Sequence, residues 1–167
     1  MSLSEILEYE YDNYESRKIV PFAYTFARDK WVWILNENGS EYNVGFCSRD
    51  LNIGNYYAKN TEDAILRNIL DYVSNPCLYI DEAKSEGFLK SEAELKRYLI
   101  MLKATLRGII RDEYVELIGE LSKLKPKKFY TKQFEWYALF SKEEYNELIN
   151  KYIYFDLLDK EFVHYEQ

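Results

Sequence analysis

The residues in this chain most able to do chemistry are cations. Between Lys96 and Lys132 stand ten of them: Lys96, Arg97, Lys103, Arg107, Arg111, Lys123, Lys125, Lys127, Lys128 and Lys132. Only four anions share the interval, Asp112, Glu113, Glu116 and Glu120, so the window is +6 while the rest of a −7 chain is −13. At about 100° per residue, Lys96, Lys103, Arg107 and Arg111 stay within roughly 80° of one helical surface. Continued by Lys125, Lys127 and Lys128, such a surface is expected to bind phosphate oxygens through charge-assisted hydrogen bonds. Arg107 and Arg111 suit bidentate clamping of phosphate or carboxylate, and the loop lysines suit mobile point charges. Phe129, Tyr130 and Trp136 follow closely enough to offer stacking rings to a base. A plainer explanation competes with this one: a long helix needs a charged solvent face, and these cations can pair with the acidic remainder of the chain.

Other reactive groupings are sparse. There is no glycine-rich phosphate loop, CxxC, HExxH or GxSxG. His164 is the sole histidine, which excludes multi-histidine metal centres within one chain. Asp81 and Glu82 follow an apolar stretch and, joined by Asp50 or Asp63, could hold a divalent cation for hydrolysis. An acidic pair beside a turn is commonplace, however, so no catalytic residue, metal ligand or cofactor is assigned. Cys47 and Cys77 read as small buried apolar residues in a reducing cytoplasm, with one disulfide as the lesser alternative.

The elements that must position these groups can be read from the pattern. Val20, Phe22, Tyr24 and Phe26 alternate as a strand with a buried face, and Trp31 to Leu35 follow a turn near Arg28-Asp29. Asn38-Gly39 is the strongest hairpin signal, because a type I′ turn needs positive φ at both central positions. A two-residue loop there sets Leu35 against Tyr42, Trp33 against Val44 and Trp31 against Phe46. A two-residue turn at Arg28-Asp29 sets Phe26 against Trp31, Tyr24 against Trp33 and Phe22 against Leu35. The expectation is a three-stranded antiparallel meander over 19–46.

Residues 49–58 read as an interrupted short strand. Asn60 or Thr61 caps a helix to about Val73, ended by Asn75-Pro76. Cys77–Ile80 reads as a brief strand or extended crossing and 81–90 as a loop. Ser91 with Glu94 opens a helical region over 92–121 whose apolar stripe changes phase at Gly108, which predicts a kink or a break into two packed helices. Phe134 to Phe140 alternate as a further strand, and Ser141 with Glu144 caps another helix. An acidic helix over 2–15 and an edge strand or short helix after Phe155 complete the reading. The fold class expected is α+β: a small antiparallel sheet, the 19–46 meander plus a strand near 134–140, packed against four or five helices. All 167 residues are expected in a single compact domain.

Charge and rings together set the functional expectation. The acidic balance argues against a cation-coated protein that binds nucleic acid everywhere. No apolar run reaches the roughly eighteen residues that span a bilayer, and the acidic start is the reverse of a leader peptide, so no membrane partner is expected. Seventeen Tyr, nine Phe and three Trp make 17% of the chain aromatic. That enrichment suits a contact surface. A noncatalytic cytoplasmic interaction or regulatory protein is the leading expectation, engaging a protein partner, a homo-oligomer among the forms open to it. A module for a phosphate-bearing ligand or single-stranded nucleic acid is the alternative, followed by a metal-dependent hydrolase.

Overall fold

Between residues 19 and 58 the alternating pattern becomes four consecutive antiparallel strands: β1 (Ile19–Tyr24), β2 (Lys30–Leu35), β3 (Tyr42–Cys47) and β4 (Ile53–Ala58). A fifth, β7 (Glu161–Val163), joins β4 from far along the chain, giving the order β1-β2-β3-β4-β7. The computed structural model describes residues 19–36, 39–51, 53–74, 91–130 and 135–163. The expected 2–15 helix, Asn38, Asn75-Pro76, the Cys77–Ile80 strand, the 81–90 loop with Asp81 and Glu82, Lys132, Phe134 and His164 lie outside the described residues. The chain forms two compact units, one of residues 1–64 with 153–167, the other of residues 65–152.

In the first unit the β2–β3 register is the expected one, with Trp31↔Phe46, Trp33↔Val44 and Leu35↔Tyr42 paired. Gly39 takes φ +68, and the Asn36 carboxamide accepts from Ser40 N at 3.1 Å, fixing the loop. The β1–β2 register is not the expected one. Val20, not Tyr24, faces Trp33, and Ala23 faces Trp31, with a bulge between Pro21 and Ala23. The cause is a longer loop. Thr25 and Asp29 bond each other through backbone and side chain, so five residues rather than two reverse the chain.

The buried face of β1 is also the opposite one: Ile19 and Pro21 are buried, Phe22 is half-buried, and Phe26 stands in solvent. Ile19, Val32, Ile34, Cys47, Tyr56 and Phe162 make one core, with Phe155 and Leu157 packed against it. The rings of β2 face the other way. Phe22, Trp31, Trp33 and Tyr57 pack, partly exposed, around Val44, Ala58 and Ala64.

Phe162 explains two glycines that interrupt the strand pattern. A Cβ on Gly45 would come 2.8 Å from its Cζ atom, and one on Gly54 2.7 Å from the same atom. Only bare backbone on β3 and β4 leaves a slot for that ring. Helix α1 (Thr61–Ser74) starts from β4 with Asn60 as its cap, since Asp63 N donates to Asn60 Oδ1 at 2.9 Å. Glu62 and Asp63 sit at its positive end.

The second unit takes the rest of α1 and adds α2 (Glu92–Leu106), α3 (Asp112–Leu121), β5 (Lys127–Tyr130), β6 (Glu135–Ala138) and α4 (Lys142–Tyr152). The stripe change at Gly108 is a full break. Gly108 adopts φ +78, Ile109 N and Ile110 N both donate to Leu106 O, and α3 restarts at Asp112. Leu95 and Leu99 of α2 are buried, as are Tyr114, Val115, Ile118 and Leu121 of α3. The strand expected near 134–140 forms at Glu135–Ala138 but pairs with β5 in a two-stranded ribbon of its own, apart from the meander.

A lone hairpin is marginal in water. Here it runs into buried Ala138, Leu139 and Phe140, and Leu139 N donates to Val73 O at 2.8 Å. The capping box of α4 is reciprocal: Glu144 N donates to Ser141 Oγ and Ser141 N to Glu144 Oε2. Tyr145 of α4 donates to the Asp71 carboxylate of α1, and burial together with that carboxylate pushes its phenol up, so it stays a donor. Four helices and two sheets among the described residues make an α+β fold. None of those helices is long and apolar enough to cross a membrane.

Candidate functional site

The ten residues singled out by charge and aromatic spacing all fall in the second unit, but in three different settings. Lys96 and Lys103 lie on α2, while Arg107 and Arg111 flank the break, at the end of α2 and the start of α3. A single helical sector therefore does not hold all four. Lys103 turns toward α3: its ammonium lies 3.2 Å from Glu116 Oε2, and its stem crosses Gly119, where a Cβ would meet the nitrogen at 2.6 Å. The Arg111 guanidinium sits 4.4 Å from the centre of the Tyr114 ring, a cation–π contact. Lys96, Arg107 and Lys125 are exposed, and their side chains make no hydrogen bond or ion pair among the described residues.

The remaining members meet on the ribbon. Its register places Phe129 opposite Trp136 and Lys128 opposite Tyr137. Phe129 and Trp136 stack at 5.9 Å with planes 24° apart, and both are half-buried. Lys128 lies 6.0 Å from the Tyr137 ring centre, and Tyr130 is 75% exposed. Lys127 reaches Glu144 at 2.5 Å. That ammonium first, and the Ser141 amide second, hold the Glu144 carboxyl below the usual carboxylate range. The ribbon is thus a small aromatic and cationic strip in which one lysine is already neutralised by a carboxylate.

Rings gather more densely on the five-stranded sheet of the first unit. Phe22 stacks on Trp33 at 4.8 Å and 19°, and Trp33 meets Tyr42 at 5.9 Å. Beside this row Trp31 contacts Phe46 at 4.9 Å and Tyr57 edge-on at 4.7 Å. None of the six is fully buried. The positions come from strand period alone: Trp31 and Trp33 share a face of β2, and cross-strand pairing adds Phe46 and, diagonally, Phe22 and Tyr42. Tyr42 Oη and Thr61 Oγ1 lie 2.9 Å apart, tying the edge of the net to the start of α1.

At the end of the same sheet, the β1–β2 loop and the turn after β3 lie together, since Arg49 N donates to Asp29 Oδ1 at 3.2 Å. Tyr24, Phe26 and Leu51 are exposed there. Strand alternation did not predict this tip. The signal in the sequence was Thr25 with Asp29, side chains that bond local backbone and so lengthen a turn.

No group of three or more His, Cys, Asp or Glu able to hold a metal occurs among the described residues. Cys47 is buried in the sheet core. Comparison with protein-family models, with curated proteins and with solved structures finds no match to this chain.

Proposed function

We infer that this chain is a noncatalytic interaction protein of the cytoplasm whose sheet face binds a protein partner. One observation carries the reading: six rings pack as two adjacent, partly exposed trios, Phe22–Trp33–Tyr42 and Phe46–Trp31–Tyr57, on one face of the sheet. Rings combine large area with few rotatable bonds, so docking them sacrifices little conformational freedom. The strong acidity of the chain outside 96–132 supports partner choice through rim charges.

The test is native mass spectrometry of the full chain isolated gently from its own cells. A stoichiometric complex with a second polypeptide is expected, weakened about tenfold or more by Tyr57→Ala or Phe46→Ala with the circular dichroism unchanged. A monomer carrying nucleotide in place of a polypeptide would overturn the reading.

The Phe129–Trp136 stack favours a second reading, a single-stranded nucleic-acid contact on the ribbon with Lys125 and Lys128 beside it. It predicts binding of oligothymidylate that falls steeply with added salt and is lost in Trp136→Ala. Binding insensitive to both changes removes it.

A further inference from the structure

The loop that upset the expected β1–β2 register is built to hold one side chain in solvent. Phe26 is fully exposed, at 107% of its reference area, whereas other rings of the strand pattern pack on the sheet. The loop around it is not slack. Thr25 N donates to Asp29 O and Arg28 N to Thr25 O, both at 2.9 Å. The Thr25 hydroxyl also donates to Asp29 Oδ2 and accepts from Asp29 N. Asp29 Oδ1 then receives Arg49 N, which fixes the neighbouring turn and its exposed Leu51 beside the loop. A rigid mount for an exposed ring reduces the ordering needed on binding, which is how an anchor gains affinity.

Arg28 supplies a second, independent observation. Its φ is +70, a left-handed conformation in which an arginine is strained and a glycine or asparagine would not be. Its exposed guanidinium has no carboxylate partner among the described residues, whereas neighbouring Arg49 is paired to Asp50 at 3.1 Å. Arg28, Lys30 and Arg49 against Asp29 and Asp50 leave the tip one cation in excess, short of the roughly 4–8 clustered cations that hold a protein to an anionic bilayer. A bulky apolar anchor with an exposed arginine at its rim matches a protein pocket instead.

Resting on the interaction reading, we propose that Phe26 inserts into an apolar pocket of a partner protein, while Arg28 pairs with a carboxylate on that pocket's rim. The experiment uses the full chain in its own cells, with a benzoylphenylalanine photo-crosslinker replacing Ala27 in one variant and Tyr57 in another. A single adduct of defined mass from position 27 is expected. It should be abolished by Phe26→Ser and by Arg28→Glu, retained with Arg28→Lys, and weakened about thirtyfold in direct binding by Phe26→Ser.

Both Phe26→Ser and Arg28→Gly should leave the urea midpoint unchanged or raised, because the ring packs on nothing and glycine relieves the φ. A turn-forming role alone would alter stability and not binding. Adducts from position 57 only would overturn the tip and leave the interaction reading standing. No adduct from either position would sink both. Cosedimentation with phosphatidylcholine–phosphatidylserine vesicles that Phe26→Ser abolishes would assign the tip to a lipid surface and overturn the protein pocket.

Discussion

Close approach of a side chain to bare backbone gives the sharpest consequences at single residues. At Gly54 an added methyl would meet Phe162 Cζ at 2.7 Å, Cys47 Sγ at 2.8 Å and the Phe46 carbonyl oxygen at 2.9 Å, and the last of these is backbone that cannot swing aside. Gly54→Ala is therefore expected to lower stability by about 1–3 kcal/mol in urea unfolding, the range for overpacked cores. Gly119→Ala should behave oppositely. It meets only the flexible end of Lys103, and alanine gains up to about 1 kcal/mol of helix propensity, so no loss is expected in the same measurement. Glu144 sets a pH dependence. Its carboxyl is depressed by Lys127 and Ser141, so the stability it adds is complete above the ordinary carboxylate range and disappears as pH falls through the lowered value. Carbon-13 titration of Glu144 and ribbon amide shifts should move together in acid, and Lys127→Met should return the titration toward normal. The exposed pair contributes little in energy, at most about 1 kcal/mol. Ser141 and Glu144 were legible in the sequence as a capping box because both partners lie within one turn. The role of Gly54 was not, since the ring that requires it is remote in sequence.

Elements were readable where local pattern alone decides them. Alternation around Asn38-Gly39 sufficed for the β2–β3 register, and the phase change at Gly108 sufficed for the division between α2 and α3. The β1–β2 register failed because a side-chain pair, Thr25 with Asp29, outweighed backbone turn preference and moved Phe26 off the sheet. The ribbon was half seen. Lys127–Tyr130 has the composition of a solvated loop and becomes a strand only by pairing with Glu135–Ala138. Of the candidate cations, the even 100° spacing was real only as far as Arg107 at the end of α2, since the turn at Gly108 reorients Arg111. That turn gives a prediction of its own. Gly108 has open space around a would-be Cβ but a left-handed φ, so Gly108→Val should lower stability by about 1–2 kcal/mol through backbone strain alone. Thermal melting checks this, and Gly108→Asn should recover part of the loss.

Across the whole molecule, the first unit is assembled from two stretches of chain separated by the second. β7 pairs with β4 through Ile53↔Val163, Gly54↔Phe162 and Asn55↔Glu161, and the Asn55 carboxamide reaches Asp159 O across 104 residues. Phe162→Ala is expected to reduce stability by about 3–5 kcal/mol in urea unfolding, because it empties the slot over Gly45 and Gly54 and strips the contact with Tyr56. A change near 1 kcal/mol would mean that β7 is dispensable to the sheet. The other rim of the sheet resists growth by a foreign strand: β1 carries Pro21, which has no N–H to offer, and a bulge beside it. The late arrival of β7 also matters while the protein is being made. After β4 leaves the ribosome, about 100 further residues must be translated before Phe162 emerges, roughly 5–20 s of elongation. A four-stranded sheet formed in that interval would carry the furrow over Gly45 and Gly54 without the ring that fills it.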